Sequence, residues 1–311
     1  MQVHSSSIII TIMFIEQAYK GNNEGWRVVV TTLLTTGIFI ANFIAFLILP
    51  QSTIDDSYDI LKGIPNNIAL VMNLLPFAFL LGLLFVMVYF IHRRSILSLT
   101  TSRLKVDYKR ILFSFLLIVI LTLISFGFSY YTDSKNIVWN FHPLKFTILF
   151  LLSLLLFPFQ IGFEEYLFRG YLMQQMGILA KNRWLPLVIT SVVFGVFHSA
   201  NPEVAEMGYG VMTFYIGTGL LLGIMTLMDE GLELSLGFHF GNNLMAAILI
   251  TSDFSALQTD AIFRYSGKEN TADSLIEMVV TMLITYPIIL FILAKKYHWT
   301  HWKEKLTGKL S

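Results

Sequence analysis

Apolar residues fall into eight runs separated by short polar stretches: Arg27–Leu49, Ile68–His92, Ile111–Tyr131, Leu144–Gly162 or beyond, Leu185–Ser199, Tyr209–Met228, Leu234–Ile250 and Leu275–Ala294. A helix needs about 20 mostly apolar residues to cross the hydrocarbon core of a bilayer, so each run is a candidate span, the fifth being short. The expected fold is all-α, a polytopic transmembrane helical bundle of about eight spans. Pro50 closes the first run, while Pro76, Pro158 and Pro287 lie inside others, where neighbouring helices tolerate a kink. No repeat and no soluble domain breaks the pattern, so residues 1–311 read as a single integral membrane domain.

Composition and charge orient the bundle. The chain is 55% hydrophobic and 13% charged, with a mean hydropathy of +0.68, whereas an ordinary soluble domain carries about 25% charged residues. One set of connections holds Lys20, Arg27, Arg93, Arg94, Arg103, Lys105, Lys109, Arg110, Arg169, Lys181, Arg183 and the lysines of the tail. The other holds only Lys62, Lys135, Lys145, Arg264 and Lys268. The positive-inside bias then places both termini in the cytoplasm, with 295–311 as a basic cytoplasmic tail. Ile8–Ile15 has the length of a signal-peptide core but lacks a basic flank and a small-residue cleavage site, so 1–23 is expected to remain as an interfacial or flexible segment. The Ser95–Arg110 connection is expected to be a basic cytoplasmic loop, or else an amphipathic helix touching anionic headgroups. Asp55, Asp56 and Asp59 are expected to be solvated on the outer side, and Asp229, Glu230 and Glu233 in a tight cytoplasmic turn. A net charge of +1 suggests no nucleic-acid partner. The absence of cysteine excludes thiol catalysis, disulfides and Cys-based zinc sites.

Three segments bring ionisable groups into apolar surroundings, where charge is costly and marks function. The first is Glu164-Glu165-Tyr166-Leu167-Phe168-Arg169. On a helix, Glu165 and Arg169 share a face and can pair, while Glu164 is rotated by about 100° and left free. The second runs from Phe194 to His198 and includes Gly195; the third runs from His239 to Asn243, with Gly237 and Gly241 permitting close helix approach. Gly217, Gly219 and Gly223 read as packing glycines too. The remaining histidines, 4, 92, 142, 298 and 301, are read as surface groups. If the fourth run ended at Gly162, Glu164 would lie at the membrane surface, about 20 Å from His198. The fourth helix is therefore expected to continue past Arg169, towards Met176. No His-Glu-x-x-His, Gly-x-Ser-x-Gly or phosphate-binding glycine loop is present.

In order and spacing, these segments resemble the CPBP family of intramembrane proteases, also called the CAAX protease and bacteriocin-processing (Abi) family. Its pattern is Glu-Glu-x-x-x-Arg, then Phe-x-x-x-His, then His-x-x-x-Asn, and every position is filled here. The motif-bearing core covers about 144–250. The resemblance implies a site open to the cytoplasmic half of the membrane and hydrolysis of a peptide bond in a membrane-associated protein or peptide. It implies that Glu164 activates water with help from His198, that His239 and Asn243 stabilise the oxyanion, and that Glu165, Arg169 and Phe194 support the site. Glu164, His198 and His239 would also supply a His₂Glu donor set for zinc; the metal-free mechanism, with no cofactor, is the favoured expectation. The partners expected are that substrate and the lipid bilayer, and the expected location is a bacterial cytoplasmic membrane. Two other functions fit the architecture. One is a non-catalytic bacteriocin-immunity or scaffold protein, which would not need the full motif set. The other is a proton- or ion-coupled transporter, which the lack of an inverted repeat disfavours.

Overall fold

Six helices are long and apolar enough to cross a bilayer in the computed structural model, which describes residues 13–50, 52–53, 60, 63–253, 255, 257–267 and 271–310. In chain order the elements begin with α1 (Gly25–Ile48), α2 (Asn66–Val86, extended by a π-helical turn to Ile91), the short α3 (Ile96–Thr100) and α4 (Tyr108–Thr132). Strand β1 (Ile137–Trp139) follows, then α5 (Pro143–Glu165), a π-helical segment over Tyr166–Leu172 and α6 (Met173–Ala180). These last three form one continuous helical rod of 38 residues. The rod stops where Lys181 takes a left-handed conformation, φ 50°. Next come α7 (Trp184–Val196), α8 (Pro202–Met207), α9 (Met212–Asp229) and α10 (Glu233–Ile248). Strands β2 (Ile250–Thr251) and β3 (Phe263–Tyr265), α11 (Thr271–Tyr297) and α12 (Trp302–Thr307) complete the chain. The protein is a helical integral membrane protein.

Two of the eight expected spans are shorter than a bilayer. The fifth run becomes α7, of 13 residues, and the seventh becomes α10, of 16 residues. At 1.5 Å per residue they reach about 20 and 24 Å, against a hydrocarbon core of about 30 Å. Helix α7 breaks into a turn at His198, and α10 gives way to β2, which pairs parallel with β3. Strand β3 also pairs antiparallel with β1, so a small three-stranded sheet joins the ends of α4 and α10 to the starts of α5 and α11. Apolar run length overstates helix length here because both runs continue into buried non-helical backbone, which a membrane protein tolerates inside the protein.

Several expected surface features are buried instead. Asp229 and Glu233 are 4% and 0% exposed, and both pair with Arg103 of the loop that follows α3. Arg110 also binds Asp229, and Trp299 Nε1 donates to the same carboxylate at 3.2 Å. Glu230 is half-buried and accepts from the Phe14 amide. The expectation of a solvated acidic turn is thus corrected: these acids are the anchor for a basic connection and for the C-terminal tail. The first half of the Ser95–Arg110 connection is accordingly packed, with Ser98, Leu99, Thr100 and Thr101 buried, while Leu104 is exposed. His92 is likewise no surface group. It is 1% exposed, with Nε2 bound to Tyr171 Oη (2.9 Å) and Thr31 Oγ1 (3.1 Å) and Nδ1 to the Asn22 carbonyl (2.7 Å). The described part of the N-terminal segment forms a 3₁₀ turn (Ile15–Lys20) whose Ile15 and Ala18 are buried. Leu310 packs beside it. His4, Asp55, Asp56, Asp59 and residues 1–12 lie outside the described residues.

Glycines set the closest helix contacts around the site. A Cβ on Gly237 would collide with the Ile111 carbonyl of α4, and one on Gly219 would lie 2.9 Å from the Ser191 carbonyl of α7. Both obstacles are backbone and cannot rotate away. Gly237→Val is expected to lower the thermal unfolding midpoint in detergent, by the equivalent of about 1–3 kcal/mol for overpacking. Gly127→Ala, inside α4 where a Cβ meets nothing within 4 Å, is the control and should raise the midpoint slightly, since alanine is the better helix former.

Candidate active site

Glu164 and Glu165 close α5 in the middle of the rod, 6% and 0% exposed. The π-helical widening begins at the next residue and carries Arg169; such insertions are often found at functional sites. Phe163, Leu167, Phe168 and Tyr171 pack this stretch against Leu80, Leu84 and Val88 of the α2 rod, Leu99 of α3 and Phe194 of α7. The helix extends past Arg169 to Ala180, so the two glutamates lie within a helical rod and not at its end.

The neighbouring carboxylates have different partners. Glu165 Oε1 accepts from Arg169 Nη1 and from His239 Nδ1, each at 2.8 Å. Arg169 is fully buried; its Nη2 donates to the Gly219 carbonyl at 3.2 Å and its guanidinium lies 4.4 Å from the centre of the Phe194 ring. Phe194 thus covers the cation, and Gly219 lets α9 come near enough to supply the carbonyl. Glu164 takes no part in that pair. Its Oε1 accepts from Gln160 Nε2 at 2.9 Å, and its buried Oε2 has no hydrogen-bond partner. Oε2 stands 3.6 Å from His239 Nε2, too far for a direct bond.

Hydrogen bonds also fix both imidazoles. A carboxylate only accepts, so His239 Nδ1 carries a proton and Nε2 is the nitrogen facing Glu164. His198 lies on the turn after α7. Its Nδ1 donates to the Phe194 carbonyl at 2.7 Å, which leaves Nε2 as the available nitrogen. The His198 ring stacks on Tyr215, with centroids 4.5 Å apart, and meets Phe194 at 4.6 Å; Phe194 in turn lies 6.1 Å from His239. Asn243, one turn beyond His239, donates Nδ2 to Gln160 Oε1 at 3.2 Å. The helices therefore gather Glu164, Glu165, Arg169, Phe194, His198, His239 and Asn243 around one centre.

Three further residues join them. Gln160 is four residues before Glu164 and shares its face, a spacing visible in the sequence. Tyr215 and Asn201, whose Nδ2 donates to Tyr215 Oη at 3.0 Å, are linked to the centre by tertiary packing and carry no sequence signal. Among the described residues no three His, Asp or Glu side chains converge on a point where they could hold a metal ion.

Comparison with known proteins finds a similarity over the stretch that carries this geometry. Residues 143–245 match the family model described as "Type II CAAX prenyl endopeptidase Rce1-like". Over this stretch the chain is similar to Rce1-like proteins. The family is one of CAAX-type intramembrane proteases, and the matched stretch runs from α5 into α10, so it includes every residue of the centre described above. The chain is also 29% identical over 242 residues to the uncharacterized protein YyaK of Bacillus subtilis (strain 168), covering 75% of this chain and 80% of that protein. No solved structure matches.

Proposed function

We propose that this protein hydrolyses a peptide bond in a membrane-associated protein or peptide, with Glu164 as the base for water. One observation carries this most: Glu164 is a buried carboxylate whose unpartnered Oε2 faces His239 Nε2, while the neighbouring carboxylate is bound through Glu165 Oε1 to Arg169 and to His239 Nδ1. Amide hydrolysis needs a base, donors for the tetrahedral oxyanion and a proton for the leaving amine. Glu164 Oε2 accepts a proton from water as the water oxygen bonds to the scissile carbonyl carbon. The carbonyl oxygen becomes an oxyanion and accepts from the second Nδ2–H of Asn243. His239 adds a donor at Nε2 when it is an imidazolium, with Glu165 beside it to balance the charge. His198 Nε2 takes that proton from Glu164 and passes it to the leaving nitrogen as the oxyanion re-forms the carbonyl and the C–N bond breaks.

The proposed mechanism is metal-free. Support comes from the donor set alone: among the described residues no three His, Asp or Glu side chains are grouped so as to hold one ion. Cleavage is expected to persist in excess chelator, in protein free of zinc by elemental analysis. Stoichiometric zinc lost together with activity would reverse this. The proposed setting is a bacterial cytoplasmic membrane.

The test is reconstitution with a panel of membrane-associated and short hydrophobic peptides, comparing wild type with Glu164→Ala and His198→Ala. Cleavage lost in both variants supports the protease. A biological function kept in both would indicate a scaffold, and proton flux without cleavage a transporter.

A further inference from the structure

We propose that Gln160 is a positioning residue that sets the base and the oxyanion donor with one amide. The inference rests on the role given above to Glu164. Gln160 Nε2 donates to Glu164 Oε1 at 2.9 Å, and Gln160 Oε1 accepts from Asn243 Nδ2 at 3.2 Å. A carboxylate on a flexible stem has two equivalent oxygens. Tying Oε1 to Gln160 stops the group from turning and leaves Oε2 as the oxygen that faces His239 Nε2.

The second bond acts on the other helix. Asn243 is on α10, and its Oδ1 accepts from Asn242 Nδ2 at 3.3 Å. With Oδ1 and one Nδ2–H occupied, a single N–H remains free to donate. Gln160 thus determines which Glu164 oxygen and which Asn243 hydrogen face the substrate, and it ties α5 to α10 at that level. A planar amide suits this task because it is neutral and both donates and accepts through one rigid group. A charged side chain beside Glu164 would oppose or neutralise the base.

Two variants of the full-length protein test the assignment, using whichever peptide of the panel the wild type cleaves. Gln160→Met keeps the length and loses both bonds. Its kcat is expected to fall roughly 10- to 100-fold, as for a displaced catalytic group, with KM within about twofold of wild type. Gln160→Glu gives a sharper signature. An ionised glutamate cannot donate and repels Glu164, but a protonated one has an O–H to donate and a carbonyl to accept, as glutamine does. Its kcat relative to wild type is therefore expected to rise roughly tenfold as pH falls from about 8 to about 5.5, through the range where a carboxyl beside another carboxylate gains its proton. The same ratio for Gln160→Met should stay flat. A merely structural glutamine would give two variants with the same pH profile, and that result overturns the proposal, as does a kcat for Gln160→Met within about twofold of wild type.

An infrared measurement needs no substrate. The Glu164 carboxylate bands, identified by difference against Glu164→Gln, should change their splitting in Gln160→Met, and unchanged bands would contradict the bond. If the wild type cleaves no peptide, the proposed function fails while the bands still decide whether Gln160 holds Glu164.

Discussion

Glu164→Gln is expected to abolish peptide cleavage and leave the protein folded. The substitution keeps the shape of the side chain, and its amide oxygen can still accept from Gln160 Nε2, now 2.9 Å from Oε1. What disappears is the buried, unpartnered oxygen that faces His239 Nε2. Loss of a general base costs about 10²–10⁴ in rate. The check is the cleavage rate of the reconstituted variant beside its thermal unfolding midpoint in detergent. An unchanged rate would remove Glu164 from the chemistry, and loss of the fold would make its role structural.

Glu165 and Arg169 are expected to behave in the opposite way. Both are 0% exposed, and each is the other's charge partner. Removing one member of a buried pair leaves an uncompensated charge and costs about 3–5 kcal/mol, whereas replacing both is often near neutral. Glu165→Gln and Arg169→Met should each destabilise by about that amount. The double variant should recover most of the loss, because the amide oxygen that Glu165→Gln introduces can still accept from His239 Nδ1 and no bare cation remains. Its activity should stay low, since no carboxylate then balances an imidazolium at His239. Unfolding free energies for the four proteins would settle it: a double variant as unstable as the sum of the singles would mean that the pair does not act as a unit.

The features legible in the sequence were those governed by local spacing. The Glu165–Arg169 bond follows from a separation of four residues. The role of glycines 219, 237 and 241 follows from small residues on apolar helices. Gln160 obeys the same spacing relative to Glu164, but a neutral amide in an apolar run raises no electrostatic alarm. Long-range partners were invisible. His92 is buried by Tyr171 and Thr31, and Asp229 by Arg103 and Arg110, all of them distant along the chain. Charge near an expected helix end suggested solvent in both cases, yet each group has a partner that compensates its burial. Length misled in a different way: hydrophobicity continues through the turn at His198 and into β2, although the helices do not.

The 38-residue rod has a consequence for which bonds can be cut. At 1.5 Å per residue it is roughly 57 Å long, nearly twice the thickness of the hydrocarbon layer, so it must lean or protrude. With Pro143 on the outer side, as the distribution of lysine and arginine places it, Glu164 lies roughly 32 Å along the rod. For an upright rod that enters the hydrocarbon at Pro143, that height falls in the inner leaflet, towards its headgroups. Met173–Ala180 then stands clear of the acyl chains, where Gln174 and Gln175 pack against the cytoplasmic segments. The rod acts as a ruler: polypeptides whose anchor holds a susceptible bond at the inner headgroup level would meet the glutamate, and bonds buried at mid-bilayer would pass it by.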